Sequence, residues 1–125
     1  MASELRVNTL KDAAGSNEVA MTYVANGTAK AWVNFDGTGT IAARDSFNFS
    51  SLTDNGTGDY SVTITNAMSN NDFYGNTLQR GNGYAAGPNS SEVFTTTGVT
   101  TIEYFNGTSI SDRSICGFMI MGDLA

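Results

Sequence analysis

Five aspartates, Asp36, Asp45, Asp54, Asp59 and Asp72, are the side chains with which this sequence could do acid–base chemistry. A pair of carboxylates can cleave a glycosidic bond when an apolar surrounding keeps one of them protonated. All but Asp45 stand beside Gly or Asn, in turn contexts, and none lies in an apolar stretch that would serve that purpose. The run Asp54-Asn55-Gly56-Thr57-Gly58-Asp59 places oxygen ligands at alternate positions around a glycine, as a calcium loop does. The calcium hand also needs a bidentate Glu downstream, and position 65 is Thr. A tight turn with Asx side-chain bonds accounts for the same residues. There is no histidine, which removes His-based triads, zinc sites and haem ligation. Cys116 is the single cysteine, so neither an internal disulfide nor a Cys-based zinc site can form, and a small buried hydrophobe is the expected role. The expectation is a non-enzymatic protein with no cofactor and no metal.

The bulk composition narrows the partners. Twelve acidic and six basic residues give a net charge of −6, with no basic stripe to attract nucleic acid. Charged residues are only 14% of the chain, so charge repulsion does little to oppose self-association. No apolar run approaches the ~20 residues of a membrane span. Met1-Ala2-Ser3-Glu4 has neither the basic nor the apolar region of a signal peptide, so synthesis and retention in the cytoplasm are expected. Five Asn-x-Ser/Thr sequons, at Asn26, Asn48, Asn55, Asn89 and Asn106, then read as turn chemistry.

The elements that would position these residues are strands. Asn, Ser, Thr and Gly supply 55 of 125 residues, a composition of turn-dense β proteins. Ala31, Val33 and Phe35 alternate with Lys30, Trp32 and Asn34; Tyr60, Val62 and Ile64 alternate with Ser61, Thr63 and Thr65; Thr100, Ile102 and Tyr104 alternate with Thr101, Glu103 and Phe105. Asn-Gly and Asp-Gly pairs at 26–27, 36–37, 55–56, 82–83 and 106–107 supply the positive φ angles of hairpins. The spacing predicts strands near 4–11, 18–25, 29–35, 39–49, 59–66, 72–79, 92–97, 99–106 and 113–121, arranged as an antiparallel sandwich or barrel.

Residues 1–25 read as an extended arm with too few large apolar groups for a core of its own, and 26–125 as the β domain. The last strand, Ile115-Cys116-Gly117-Phe118-Met119-Ile120-Met121, is apolar on both faces, which predicts one face in the core and one at a subunit interface, with a central strand inside the monomer as the alternative. Trp32 lies on the Lys30/Asn34 side of its strand. That position suits an interface anchor or a sugar platform, with a second apolar layer inside the monomer as the alternative. The expected trimer or docking residues are Leu5, Val7, Leu10, Trp32, Phe118 and Ile120. Residues 66–91 read as an irregular polar loop, with Tyr74, Arg80, Tyr84 and Asn89 as candidate recognition residues.

Leu5-Arg6-Val7-Asn8-Thr9-Leu10-Lys11-Asp12-Ala13-Ala14-Gly15 resembles a segment common in virion structural and tail-fibre proteins of tailed bacteriophages of cyanobacteria and other marine bacteria. The resemblance continues in Ala29–Thr40, Arg44–Asn48 and Asp54–Tyr60, and in the closing Gly122-Asp123. It implies a non-enzymatic virion component, made in the host cytoplasm and usually trimeric. The implied architecture is a β-sandwich or jelly-roll-like knob on an intertwined N-terminal arm. The implied partners are further copies of the chain, other virion proteins and a host surface glycan or receptor. The chain lacks the repeat stalk and adaptor domain of long fibres, so a short fibre or fibre tip fits better. Capsid decoration and a lectin-like module are the alternatives.

Overall fold

The structure is a computed structural model that describes residues 3–79, 87–106 and 109–125. It consists mainly of antiparallel strands. β1 (Thr9–Lys11) and β2 (Glu18–Ala20) form a two-stranded hairpin, followed by α1 (Met21–Gly27). The main body begins with β3 (Ala29–Asp36), β4 (Ala42–Phe47), β5 (Phe49–Gly56) and β6 (Asp59–Ile64). It continues through β7 (Tyr74–Gln79), β8 (Gly87–Thr95) and β9 (Gly98–Glu103), then the short β10 (Phe105–Asn106) and β11 (Ser109–Ile110), and closes with β12 (Cys116–Met121). One sheet has the order β4-β3-β12-β7 and the other β5-β6-β9-β8. β12 pairs with β3 and with β7, so the C-terminal strand is central.

Period-2 alternation explains which side chains form the core. β3 contributes Ala31, Val33 and Phe35, and β12 contributes Cys116, Phe118 and Ile120. The second sheet contributes Tyr60, Val62, Ile64, Val99 and Ile102 to the same cluster, with Tyr104 and Met68. Phe35, Tyr60 and Tyr104 pack with ring centroids 5.2–5.8 Å apart. Their polar ends are satisfied inside. The Tyr104 hydroxyl donates to the Gly117 carbonyl at 2.8 Å. The Tyr60 hydroxyl lies 2.7 Å from the Gly37 carbonyl oxygen and 2.9 Å from Asp112 Oδ1. Asp112 Oδ1 also accepts from the Gly58 amide, which ties the segment before β12 to the β5–β6 turn.

Several expectations change. The expected strand over 18–25 stops at Ala20, and 21–27 is helical. Met21 and Val24, spaced i, i+3, are the half-buried residues of that helix, so the burial period there is helical. The single strand expected over 39–49 is β4 plus the start of β5, a full strand of its own that turns at Asn48, where φ is +50°. The β5–β6 hairpin turns at Thr57-Gly58, and Asn55-Gly56 falls at a register shift. The strand expected near 72–79 is present as β7, Tyr74–Gln79. Within the segment expected to be an exposed polar loop, Met68 is buried and bridges to Leu124, and the Ser69 amide donates to the Asp123 carbonyl.

Candidate interaction face

The outward side of the β4-β3-β12-β7 sheet carries an unusual number of large apolar groups. Cross-strand register aligns Phe47, Trp32, Met119 and Asn76 in one row across all four strands. The next row is Asp45, Asn34, Gly117 and Leu78, and Met121 stands opposite Tyr74. Directly opposed residues in an antiparallel pair project from the same face, so these rows form one surface. Phe47, Tyr74 and Leu78 are 55%, 59% and 58% exposed, and Trp32 and Met119 are half-buried.

The centre of this surface is a depression of about 360 Å³ bounded by Trp32, Asn34, Asn76, Leu78 and Met119 above Gly117. Glycine is what makes the hollow. A Cβ at 117 would stand 3.2 Å from Leu78 Cβ and 3.3 Å from the Val33 carbonyl oxygen, so any side chain there would occupy the space. The walls offer apolar contact from Trp32, Leu78 and Met119 and two neutral amides from Asn34 and Asn76, with no charged side chain among them. At one edge Arg44 Nη2 pairs with Asp36 Oδ2 at 2.8 Å, and its guanidinium also donates to the Phe35 and Ser114 carbonyls. The Asp36 carboxyl is held below its ordinary range, first by the Thr38 hydroxyl and amide and less by Arg44.

The arm is the second apolar surface. Leu5 is 80% exposed, and Val7, Leu10, Val19 and Tyr23 are also exposed. β1 and β2 form a sheet of their own, closed by Asp12, which accepts from the Ser16 amide and the Asn17 side chain. Residues 3–7 belong to no strand or helix. Lys30 Nζ donates to the Ala25 and Thr28 carbonyls and to Thr28 Oγ1, which fixes the end of α1 against the start of β3.

The expected residues therefore divide. Leu5, Val7 and Leu10 lie on the arm, and Trp32 and Tyr74 on the outer face. Phe118 and Ile120, expected at a docking surface, are 4% and 0% exposed in the chain's own core. Their outward-facing neighbours on β12 are Gly117, Met119 and Met121, because Phe118 and Ile120 share the side of Val33 and Ala31. Arg80 and Tyr84 lie outside the described residues; Asn89 falls in β8 by its backbone, and its side chain is outside the description. Phe47, Leu78, Met119 and Gly117 were missed. Their signal was an apolar or absent side chain on the face opposite the core set, readable only once β3, β12 and β7 are paired.

The aspartates of the 54–59 run are engaged in the turn. Asp54 Oδ1 accepts from the Gly56 amide, and the Asn55 side chain donates to Asp59 Oδ1 and to Ser61 Oγ. Among the described residues, no three Cys, Asp or Glu side chains gather as a metal ion would require. Comparison with protein-family models, with curated proteins and with solved structures finds no match to this chain. No helix among the described residues is long and apolar enough to cross a membrane. What the surface offers chemically is contact: aromatic and thioether groups around a hollow, flanked by amides that can bond a backbone or a hydroxyl.

Proposed function

We propose that this chain is a non-enzymatic structural protein of a tailed-bacteriophage virion. In this reading it is a β-sandwich knob of jelly-roll type that assembles as a homotrimer through the arm and the outer sheet face. Its place is a short tail fibre or fibre tip, where it contributes to host attachment. The observation that carries the reading is the apolar outer face around Trp32, on a sheet whose other side already supplies the core. A contiguous exposed apolar face of this kind marks an interaction surface. The exposed arm and the sequence resemblance over residues 4–66 point the same way.

Antibody raised against the chain, coupled to gold and applied to purified particles of a phage that encodes it, tests the assignment. Label at the tail tip is the expected result. Label over the head would replace the fibre role with capsid decoration, and particles free of label would remove the virion reading. Sedimentation of the isolated chain as a stable ~13 kDa monomer, the mass of one such domain, would remove the trimer.

A further inference from the structure

We infer that Asn55-Gly56 is a self-modifying site: the Gly56 amide nitrogen attacks the Asn55 side-chain carbonyl carbon, ammonia leaves, and water opens the resulting cyclic imide to aspartate or isoaspartate. The inference concerns the β5–β6 hairpin and is independent of the function proposed above.

The hairpin leaves the backbone free at this point. Asp54 pairs with Tyr60 and Gly56 with Asp59, so Asn55 is the extra residue of a bulge and has no partner across the ladder. Gly56 has φ +137°, and the space where a Cβ would stand holds no atom within 4 Å. Nothing there obstructs the approach of its nitrogen to the side chain before it. The nucleophile also has a proton acceptor. The Gly56 N–H donates to Asp54 Oδ1 at 2.9 Å, so a carboxylate is in place to take the proton as the nitrogen adds to the carbonyl. The electrophile is exposed. Asn55 Nδ2 donates to Ser61 Oγ at 2.8 Å and to Asp59 Oδ1 at 3.2 Å. Both bonds are made by the nitrogen, so the side-chain carbonyl has no partner among the described residues and stays open to attack.

In the step, the bond from Gly56 N to Asn55 Cγ forms and the Cγ–Nδ2 bond breaks. The proton lost from Gly56 is made up on Nδ2, which departs as ammonia, with the Ser61 hydroxyl within reach to pass it. Water then adds to either imide carbonyl. One water enters for each ammonia that leaves, and nothing is oxidised or reduced. Asn26-Gly27 is placed differently. It ends α1, where a helical amide is committed to the carbonyl four residues back, so ring closure needs that turn to melt. Asn82-Gly83 and Gly107 lie outside the described residues.

Conversion changes the hairpin. It removes Nδ2 with both of its bonds and sets a third carboxylate beside Asp54 and Asp59. Isoaspartate also lengthens the main chain by one carbon inside the bulge. The same hairpin end carries Gly58, whose amide donates to Asp112 Oδ1 and anchors the segment before β12.

Peptide mapping of the full chain tests this. Freshly prepared protein is held at mildly alkaline pH and digested, and positions Asn55 and Asn26 are scored for asparagine, aspartate and isoaspartate. In the folded chain Asn55 should convert at least about tenfold faster than Asn26. Its products should include isoaspartate, which the imide route yields and direct hydrolysis of the side chain does not. The chain unfolded in urea is the reference: there the two pairs should react at similar rates, with Asn55 no faster than in the folded chain. Equal rates at the two pairs in the folded chain, aspartate without isoaspartate, or slower conversion of Asn55 folded than unfolded would overturn the inference. Asp54→Ala should slow conversion at Asn55 severalfold and leave Asn26 unchanged. An Asp54→Ala chain that is folded by circular dichroism and converts at the wild-type rate would overturn Asp54 as the proton acceptor.

Discussion

Raising the pH from 8 to 11 should destabilise the fold by an amount set by three buried groups. Burial pushes the Cys116 thiol up to about 12 from an ordinary value of 9.0. Burial also raises the Tyr60 and Tyr104 phenols well above their ordinary 10.0; Asp112 adds to the effect at Tyr60, and Cys116 adds to it at Tyr104. All three residues are fully buried, so their charged forms are disfavoured only in the folded chain. Above pH 9 for the thiol and above pH 10 for the phenols, the unfolded chain releases these protons while the folded chain keeps them. Stability is therefore complete below about pH 9 and falls as pH rises toward the folded values. Each group costs about 1.4 kcal/mol per pH unit over that window. By pH 11 the thiol accounts for about 3 kcal/mol and each phenol for about 1 kcal/mol, together about 5 kcal/mol. That is comparable to the whole stability of many small domains. Urea unfolding followed by far-ultraviolet circular dichroism at pH 8, 9, 10 and 11, under reducing conditions, measures it. The midpoint should hold from pH 8 to 9 and then fall. In Cys116→Ala the fall between pH 9 and 10 should shrink by about half, because the thiol shares that interval with the onset of phenol ionisation in the unfolded chain. Equal midpoints at pH 8 and 11, or an unaltered fall in Cys116→Ala, would refute the reasoning.

Tyr60→Phe removes the donor shared by the Gly37 carbonyl and Asp112 Oδ1 and should cost about 1–3 kcal/mol in chemical denaturation; a change within error would mean that water replaces the hydroxyl. Gly58→Ala should be at least as costly, about 1–3 kcal/mol from the backbone alone. Its φ is +67°, and a Cβ would stand 2.5 Å from Ile110 Cγ2 and 2.7 Å from the Ser111 amide nitrogen. A melting temperature equal to wild type would contradict that geometry. EDTA should leave the melting temperature unchanged, because Asp54 and Asp59 are already bonded to the Gly56 amide and the Asn55 side chain. A fall reversed by added calcium would reinstate a metal site in the 54–59 turn.

The core sides of β3 and β6 were legible because a strand buried on one face imposes a period of two. Ala31, Val33 and Phe35, and Tyr60, Val62 and Ile64, could be assigned without knowing their neighbours. The same rule placed Trp32 on the opposite side. It could not decide 115–121, where both faces are apolar. Pairing with β3 did so, setting Phe118 beside Val33 and leaving Met119 beside Trp32. Nor could it separate helix from strand at 21–27, where a short run of Met, Val and Ala suits both periods. The outer face was the least visible feature. Phe47, Trp32, Met119 and Asn76 are far apart in the chain and become one row only through three strand pairings. Local alternation fixes which side of a strand a residue occupies. Which residues share that side across the sheet is fixed by long-range register, and register depends on how the whole core packs.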